Sequence, residues 1–193
     1  MSSSLRRLAV FSSVAMLALW TLTIASNRVT ASAKENFEQS FQKRLSDYIQ
    51  LRRQIVERLH TNGDGLDEAG ESGVRGGLAD AIRDARQSAQ MGEICGGDIA
   101  GWIARTVRMD LSGRSELDRQ AILSEVPWVP IVRVNDPYPD GAALATMPPA
   151  LLEHLFPLPP ALQYRFLKDA VILLDVDANI IVDAVPNVLR ERF

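Results

Sequence analysis

Two stretches of this chain gather side chains whose types and spacing could do chemistry. The first is His60-Thr61-Asn62-Gly63-Asp64-Gly65-Leu66-Asp67-Glu68-Ala69-Gly70-Glu71. A calcium loop of the helix–loop–helix kind places ligands at its first, third, fifth and twelfth positions, with a glycine sixth for the sharp turn. Counted from His60, Asn62 and Asp64 fall on the third and fifth positions, Gly65 on the glycine and Glu71 on the bidentate twelfth. Asn62, Asp64 and Glu71 are therefore the candidate metal ligands, and Ca2+ is the cation that such hard oxygens suit. Two departures count against it. His60 stands where the loop wants a carboxylate, and Asp67 occupies a place that usually packs an apolar side chain. Ser72-Gly73 and Gly76-Gly77 also delay the next helix, and a flexible acidic loop explains the same composition without a cation.

The second stretch holds Asp175, Asp177 and Asn179, with Asp183 beyond. On a continuous strand the first three share a face, where they could ligate a cation or supply paired carboxylates for acid–base hydrolysis. Asp and Asn also close turns by bonding their own backbone, and here they link two apolar runs, so a turn is the expectation. His60 and His154 lie in or beside amphipathic helices and are expected at the surface or at helix ends. No H-E-x-x-H, G-x-S-x-G, P-loop or C-x-x-C occurs, so no metal, nucleophile or phosphate signature singles out an enzyme.

The elements that must position these residues follow from periodicity. From about Asn36 to His60, Phe37, Phe41, Leu45, Tyr48, Ile55 and Leu59 recur at helical spacing, which predicts a long amphipathic helix. Arg52 interrupts its seam, and packing inside the domain is favoured over a coiled coil. Thr61–Gly77 holds six glycines and is expected to be a loop. A second helix is expected from Gly77 to Gln90, with Leu78, Ala81, Ile82, Ala85 and Ala89 on one face, antiparallel to the first as a long helical hairpin. Asp98 is expected to cap a third helix, Ile99–Leu111, with Trp102 inward and Gly113 past its end. Ser115 and Asp118 start a short fourth that stops before Pro127.

After Pro127 the period changes. Trp128–Asn135 reads as an edge strand, with Trp128 in the core, and Asp136–Gly141 as a turn. Pro148-Pro149 can open one more short helix, and Pro157-Leu158-Pro159-Pro160 is a stiff connector. Gln163–Lys168, Ala170–Leu174 and Ile180–Val185 read as a three-stranded antiparallel meander. Helices first and strands last predict an α+β domain over 34–193, helical over 34–126 and β-rich over 127–193.

Ahead of it, Arg6-Arg7 precede an apolar run from Leu8 to Ile24, and Ala31-Ser32-Ala33 follows. A basic start, an apolar middle and a small-x-small exit predict a secretory signal peptide over 1–33, cut after Ala33. The run of 17 residues is near the lower limit for a bilayer span, so the alternative is a retained N-terminal anchor in the inner membrane. No cysteine stands directly after the run, which excludes lipid attachment through an N-terminal Cys. Loss of 1–33 removes three Arg, leaving 18 basic residues against 24 acidic, a net charge of −6. A mildly acidic domain lacks the footprint for nucleic acid. Cys95 is the single cysteine, so no intrachain disulfide forms, and a small buried hydrophobe is its expected role.

Several short motifs run through most of this chain. They are Tyr48-x-x-Leu51-Arg52, Ile82-Arg83-x-Ala85-Arg86, Gly92-Glu93-Ile94 and Val134-Asn135-x-x-Tyr138-Pro139. Pro148-Pro149-x-Leu151-Leu152, Tyr164-Arg165 and Leu174-Asp175-x-Asp177-Ala178-Asn179-x-Ile181-Val182-Asp183 complete the set. In these the chain resembles an uncharacterised family of secreted bacterial proteins. Its closing strands are similar to the terminal meander of periplasmic metal-homeostasis proteins, without metal ligands. The resemblance implies an exported α+β domain and brings no activity; Cys95 departs from it, where a bulky apolar residue is expected.

The resulting expectation is an exported envelope protein, periplasmic or secreted, that binds a protein or small-molecule partner and is not an enzyme. Nucleic acid is excluded, and contact with membrane is expected only through an uncleaved N-terminal segment. No cofactor is expected apart from Ca2+. The alternatives are a calcium-stabilised module using the 60–71 loop and a carboxylate-dependent hydrolase.

Overall fold

The structure is a computed structural model that describes residues 35–61, 70–142 and 147–190, with backbone alone over 70–76. The chain forms two units, Met1–Ser40 and Phe41–Phe193. Residues 35–40 of the first are helical, and every other element belongs to the second. Residues 1–33, with the expected signal or anchor, lie outside the described residues. Among those described, no helix is long and apolar enough to cross a membrane.

Helix α1 spans residues 35–61. Phe41, Leu45, Tyr48 and Ile55 on its stripe are buried, as their spacing requires. Arg52 sits in the same stripe, between Tyr48 and Ile55. Helix α2 is Gly70–Ala85, seven residues longer at its start than the glycines suggest. Each glycine costs a helix interior about 1 kcal/mol, a bias rather than a prohibition. Leu78, Ala79 and Ile82 are buried, whereas Ala85, expected inward, is exposed. The link between α1 and α2 lies outside the described residues, and with it the hairpin.

Helix α3, Asp98–Ser112, buries Ile99, Ile103, Ala104, Val107 and Leu111 and ends on Gly113. Its N-cap is Gly97, without a side-chain bond; Asp98, expected as the cap, is instead the first helical residue. There its charge complements the positive end of the helix. Helix α4, Glu116–Ser124, is capped as expected: Asp118 N–H donates to Ser115 Oγ at 3.1 Å. No residue of α4 is buried. Helix α5 is the single turn Pro149–Leu152.

Strands β1 (Leu162–Leu167), β2 (Ala170–Asp175) and β3 (Ile180–Val185) form an antiparallel meander in the order β1-β2-β3. Lys168 and Asn179 turn the chain with φ of 57° and 52°, and Asn accepts that conformation more readily than most side chains. Between Leu173 and Leu174 the β2–β3 register shifts, so β3 carries one extra residue there, Val182. A bulge of this kind sharpens the local twist. Every residue of β2 and β3 is buried, the mark of a sheet covered on both faces.

One face carries Ile172, Leu174, Ile181 and Ala184 in a cluster with Tyr138, Leu167 and Ala170. The opposite face carries Tyr164, Leu173, Asp175 and Asp183, and meets the helices; α3 packs on β3 and on α5. Phe156 joins that layer, stacked on Trp102 at 4.0 Å and tilted on Phe41 at 5.5 Å. The first face is covered by residues 127–142, which do not form the expected strand. Pro127 and Pro130 lack N–H donors, so no ladder can run through them. The segment instead crosses the sheet as coil. Lys168 N–H holds Pro127 O at 2.8 Å near one end, and Asn135 N–H reaches Ile181 O at 2.8 Å near the other. Val129 and Val132 pack on the cluster. Trp128, expected in the core, is 74% exposed.

Candidate functional site

The acidic cluster at the β2–β3 turn is tied into α1. Asp175, the last residue of β2, is fully buried. Its Oδ2 accepts from Tyr48 Oη and from Arg52 Nε, both at 2.8 Å. Its Oδ1 accepts Ala178 N–H at 3.0 Å and closes the turn, as Asp does in this role. Arg52, whose side chain is 17% exposed, also reaches the exposed Asp177. Tyr48 and Arg52 lie one helical turn apart, so a single face of α1 delivers both to one carboxylate. Burial, then the charge of Asp175, pushes the Tyr48 phenol far above its ordinary range. The guanidinium of Arg86 covers the Tyr48 ring at 5.2 Å, a cation–π contact in a desolvated place.

Arg86 follows α2 directly and is itself buried. Its Nη2 donates to Val182 O at 3.1 Å and to Glu93 at 3.2 Å. Asn135, at φ 69°, donates through Nδ2 to Arg86 O at 2.8 Å, and Arg83 Nε donates to Asn135 O at 3.0 Å. The end of α2, the covering coil and the bulge of β3 therefore meet at one side chain.

Asp183 in β3 is the second fully buried acid. Its Oδ1 accepts the N–H groups of Gly92 at 2.6 Å and Ala184 at 2.7 Å. Its Oδ2 accepts those of Ile94 and Cys95, both at 2.7 Å. The 91–95 turn wraps the carboxylate with backbone donors, which compensates a charge that burial alone would make costly. Gly92 has φ 91°, and a Cβ on Gly96 would lie 2.1 Å from Gly92 O, so neither position takes a side chain without rebuilding the turn. Cys95 is buried as expected; burial, then the charge of Asp183, holds its thiol well above the ordinary range. A nucleophilic cysteine needs the opposite shift.

Both buried acids are thus fastened to donors of the chain, Asp175 through three bonds and Asp183 through four. A general base needs a lone pair within reach of substrate; these two carboxylates are fully buried and turn most of their acceptor sites to bonds within the fold. Asn179 is used likewise, donating to Tyr138 O at 3.4 Å. His60 and His154 are exposed, and His154 Nδ1 meets Ala150 O at 2.7 Å. Asn62 and Asp64 lie outside the described residues; Glu71 is helical, the second residue of α2. Among the described residues no group of three or more His, Cys, Asp or Glu is placed to hold a metal ion.

Tyr48, Arg52, Arg86 and the Asp183 turn form one polar system that helical and strand periodicity do not reveal. Two signals pointed to it: an arginine inside the apolar stripe of α1, and an aspartate inside the apolar run Ile180-Ile181-Val182-Asp183-Ala184-Val185. A charge in either place needs a buried partner. Neither a family model, nor a curated protein, nor a solved structure matches this chain.

Proposed function

We propose that this chain is an exported protein of the cell envelope, periplasmic or secreted, that binds a protein or small ligand and catalyses no reaction. The observation that carries the reading is the state of Asp175 and Asp183. The buried acids that could have done chemistry are consumed in holding the sheet to the helices. Export rests on the N-terminal grammar of Arg6-Arg7, Leu8–Ile24 and Ala31-Ser32-Ala33. The test has two parts. Protease accessibility of the chain in intact and permeabilised cells, with the mass of its N-terminus, is expected to place it outside the cytoplasm with Lys34 first; a retained anchor leaves Met1 in place. A panel of ester, glycoside and peptide substrates is expected to give no turnover. Turnover abolished by Asp177→Asn, a change at an exposed side chain, overturns the reading.

A second reading, a calcium-stabilised module, draws support from the helix boundaries. Helix α1 runs to residue 61 and α2 opens at Gly70, so a twelve-residue loop counted from His60 ends with Glu71 inside its exit helix. The glycines after Glu71 do not delay that helix. Millimolar Ca2+ is then expected to raise the unfolding temperature of the chain, and Glu71→Gln to abolish the rise. No rise with the unaltered chain ends this reading.

A further inference from the structure

Two of the large apolar side chains left in solvent, Trp128 and Ile131, stand three residues apart and are 74% and 56% exposed. They alternate with Val129 and Val132, which pack on the sheet cluster beneath. Pro127 and Pro130 restrict the backbone between them. Its carbonyls are also gripped: Lys168 N–H donates to Pro127 O at 2.8 Å and Lys168 Nζ to Pro130 O at 2.6 Å. The two side chains are therefore held outward on a braced ridge. Arg133, exposed, continues the outward row, and the ammonium of Lys168 stands beside its middle.

We propose that this ridge docks the domain on the surface of an anionic lipid bilayer. Trp128 and Ile131 enter the headgroup boundary, and Arg133 and Lys168 meet lipid phosphates. The inference goes beyond the export reading above and does not depend on it. Area and shape favour lipid over a protein partner. Two side chains offer roughly 300 Å² of apolar surface, below the apolar share, a little over half, of the roughly 800 Å² per partner of a stable protein interface. A bilayer needs no complementary shape, Trp settles at headgroup level, and cations beside it gain from anionic lipid. Glu125, exposed at the end of α4, and Asp136, three residues past Arg133, flank the row and weaken its attraction to anionic lipid, so the apolar pair carries the larger share of the contact.

The full chain itself carries an apolar N-terminal segment, so sedimentation with vesicles cannot test the ridge. The readout is instead the fluorescence of Trp128, taken as the difference between full chain carrying Trp20→Phe and the same chain with Trp128→Phe added. With phosphatidylglycerol–phosphatidylethanolamine vesicles, that difference spectrum is expected to shift to the blue and to be quenched by brominated acyl chains. Ile131→Asp is expected to abolish both effects while thermal unfolding stays unchanged. Phosphatidylcholine vesicles and high salt are expected to weaken them. An unchanged Trp128 spectrum while the chain sediments with vesicles overturns the inference, as does a response to an envelope protein but not to lipid. The protease-accessibility experiment reads export independently. A cytoplasmic chain whose Trp128 responds to vesicles would sink the export reading and keep the docking ridge.

Discussion

Asp183 accepts four backbone N–H groups in a place closed to water, and three of them belong to the 91–95 turn, which Arg44 and Arg86 also reach through Ile94 O and Glu93. Truncating it orphans those donors, and each buried unsatisfied N–H costs about 1–3 kcal/mol. Asp183→Ala is therefore expected to loosen the sheet by about 4 kcal/mol, read from the lost amide-exchange protection of β3. Asp183→Asn keeps the shape but turns an NH2 toward a donor, and is expected to lose roughly half as much. Tyr48 carries a different consequence. Its folded-state pKa is raised, by burial and then by Asp175, so the folded chain keeps a proton that the unfolded chain releases near its ordinary value of 10.0. The stability that Tyr48 contributes is complete below that pH and falls as pH rises above it. Tyr164, raised by burial, acts in the same direction. Tyr48→Phe is expected to cost about 2 kcal/mol at neutral pH through the lost bond to Asp175. It is also expected to show a shallower alkaline decline above about pH 10 than the unaltered chain. A decline of equal steepness in the two proteins assigns the alkaline loss to other groups.

At the scale of elements, the meander and most helices were legible because their patterns are local. Short apolar runs, two-residue and four-residue turns, and Ser115 three residues before Asp118 all act within a few residues of chain. The segment 127–135 was misread for a local reason too. Its run of β-branched residues reads like a strand, but Pro127 and Pro130 remove donors a ladder needs, and Val129 and Val132, three residues apart, instead seat the segment on a sheet already formed. The start of α2 was misread because a weak glycine preference yields to its surroundings. What the sequence could not reveal is pairing at a distance: Asp175 lies 127 residues from Tyr48, and Asp183 lies 91 from Gly92. Helix α4 sharpens the contrast between local and tertiary support. It buries no residue, so its Ser115 cap carries an unusual share of its stability. Ser115→Ala is expected to cost about 1 kcal/mol. Because the helix is weakly tied, the loss is expected as faster amide exchange over Glu116–Ser124, with the global midpoint nearly unmoved. A shift of the global midpoint by the full amount refutes that picture.

Across the whole packed unit, the sheet is the shared wall of two layers built differently. The helices reach it through apolar packing and the two carboxylates, whereas the coil of 127–142 reaches it through the buried Tyr138, the partly buried Val129, Val132 and Ala142, and a few backbone bonds. Three six-residue strands have little independent stability in water, so neither layer leaves a sheet able to stand once it departs. Cooperative loss follows. Trp102, stacked on Phe156, reports the helical layer, and far-UV circular dichroism reports helices and strands together. With Trp20→Phe and Trp128→Phe in place, the urea transition of Trp102 fluorescence is expected to superimpose on that of circular dichroism, with one midpoint and one slope. In Asp183→Ala the 91–95 turn no longer fastens β3 to the start of α3. The sheet is then expected to separate first, so that circular dichroism begins to fall before Trp102 responds. Superimposed curves in that variant mean that apolar packing alone couples the layers and that the buried acid adds stability without adding cooperativity.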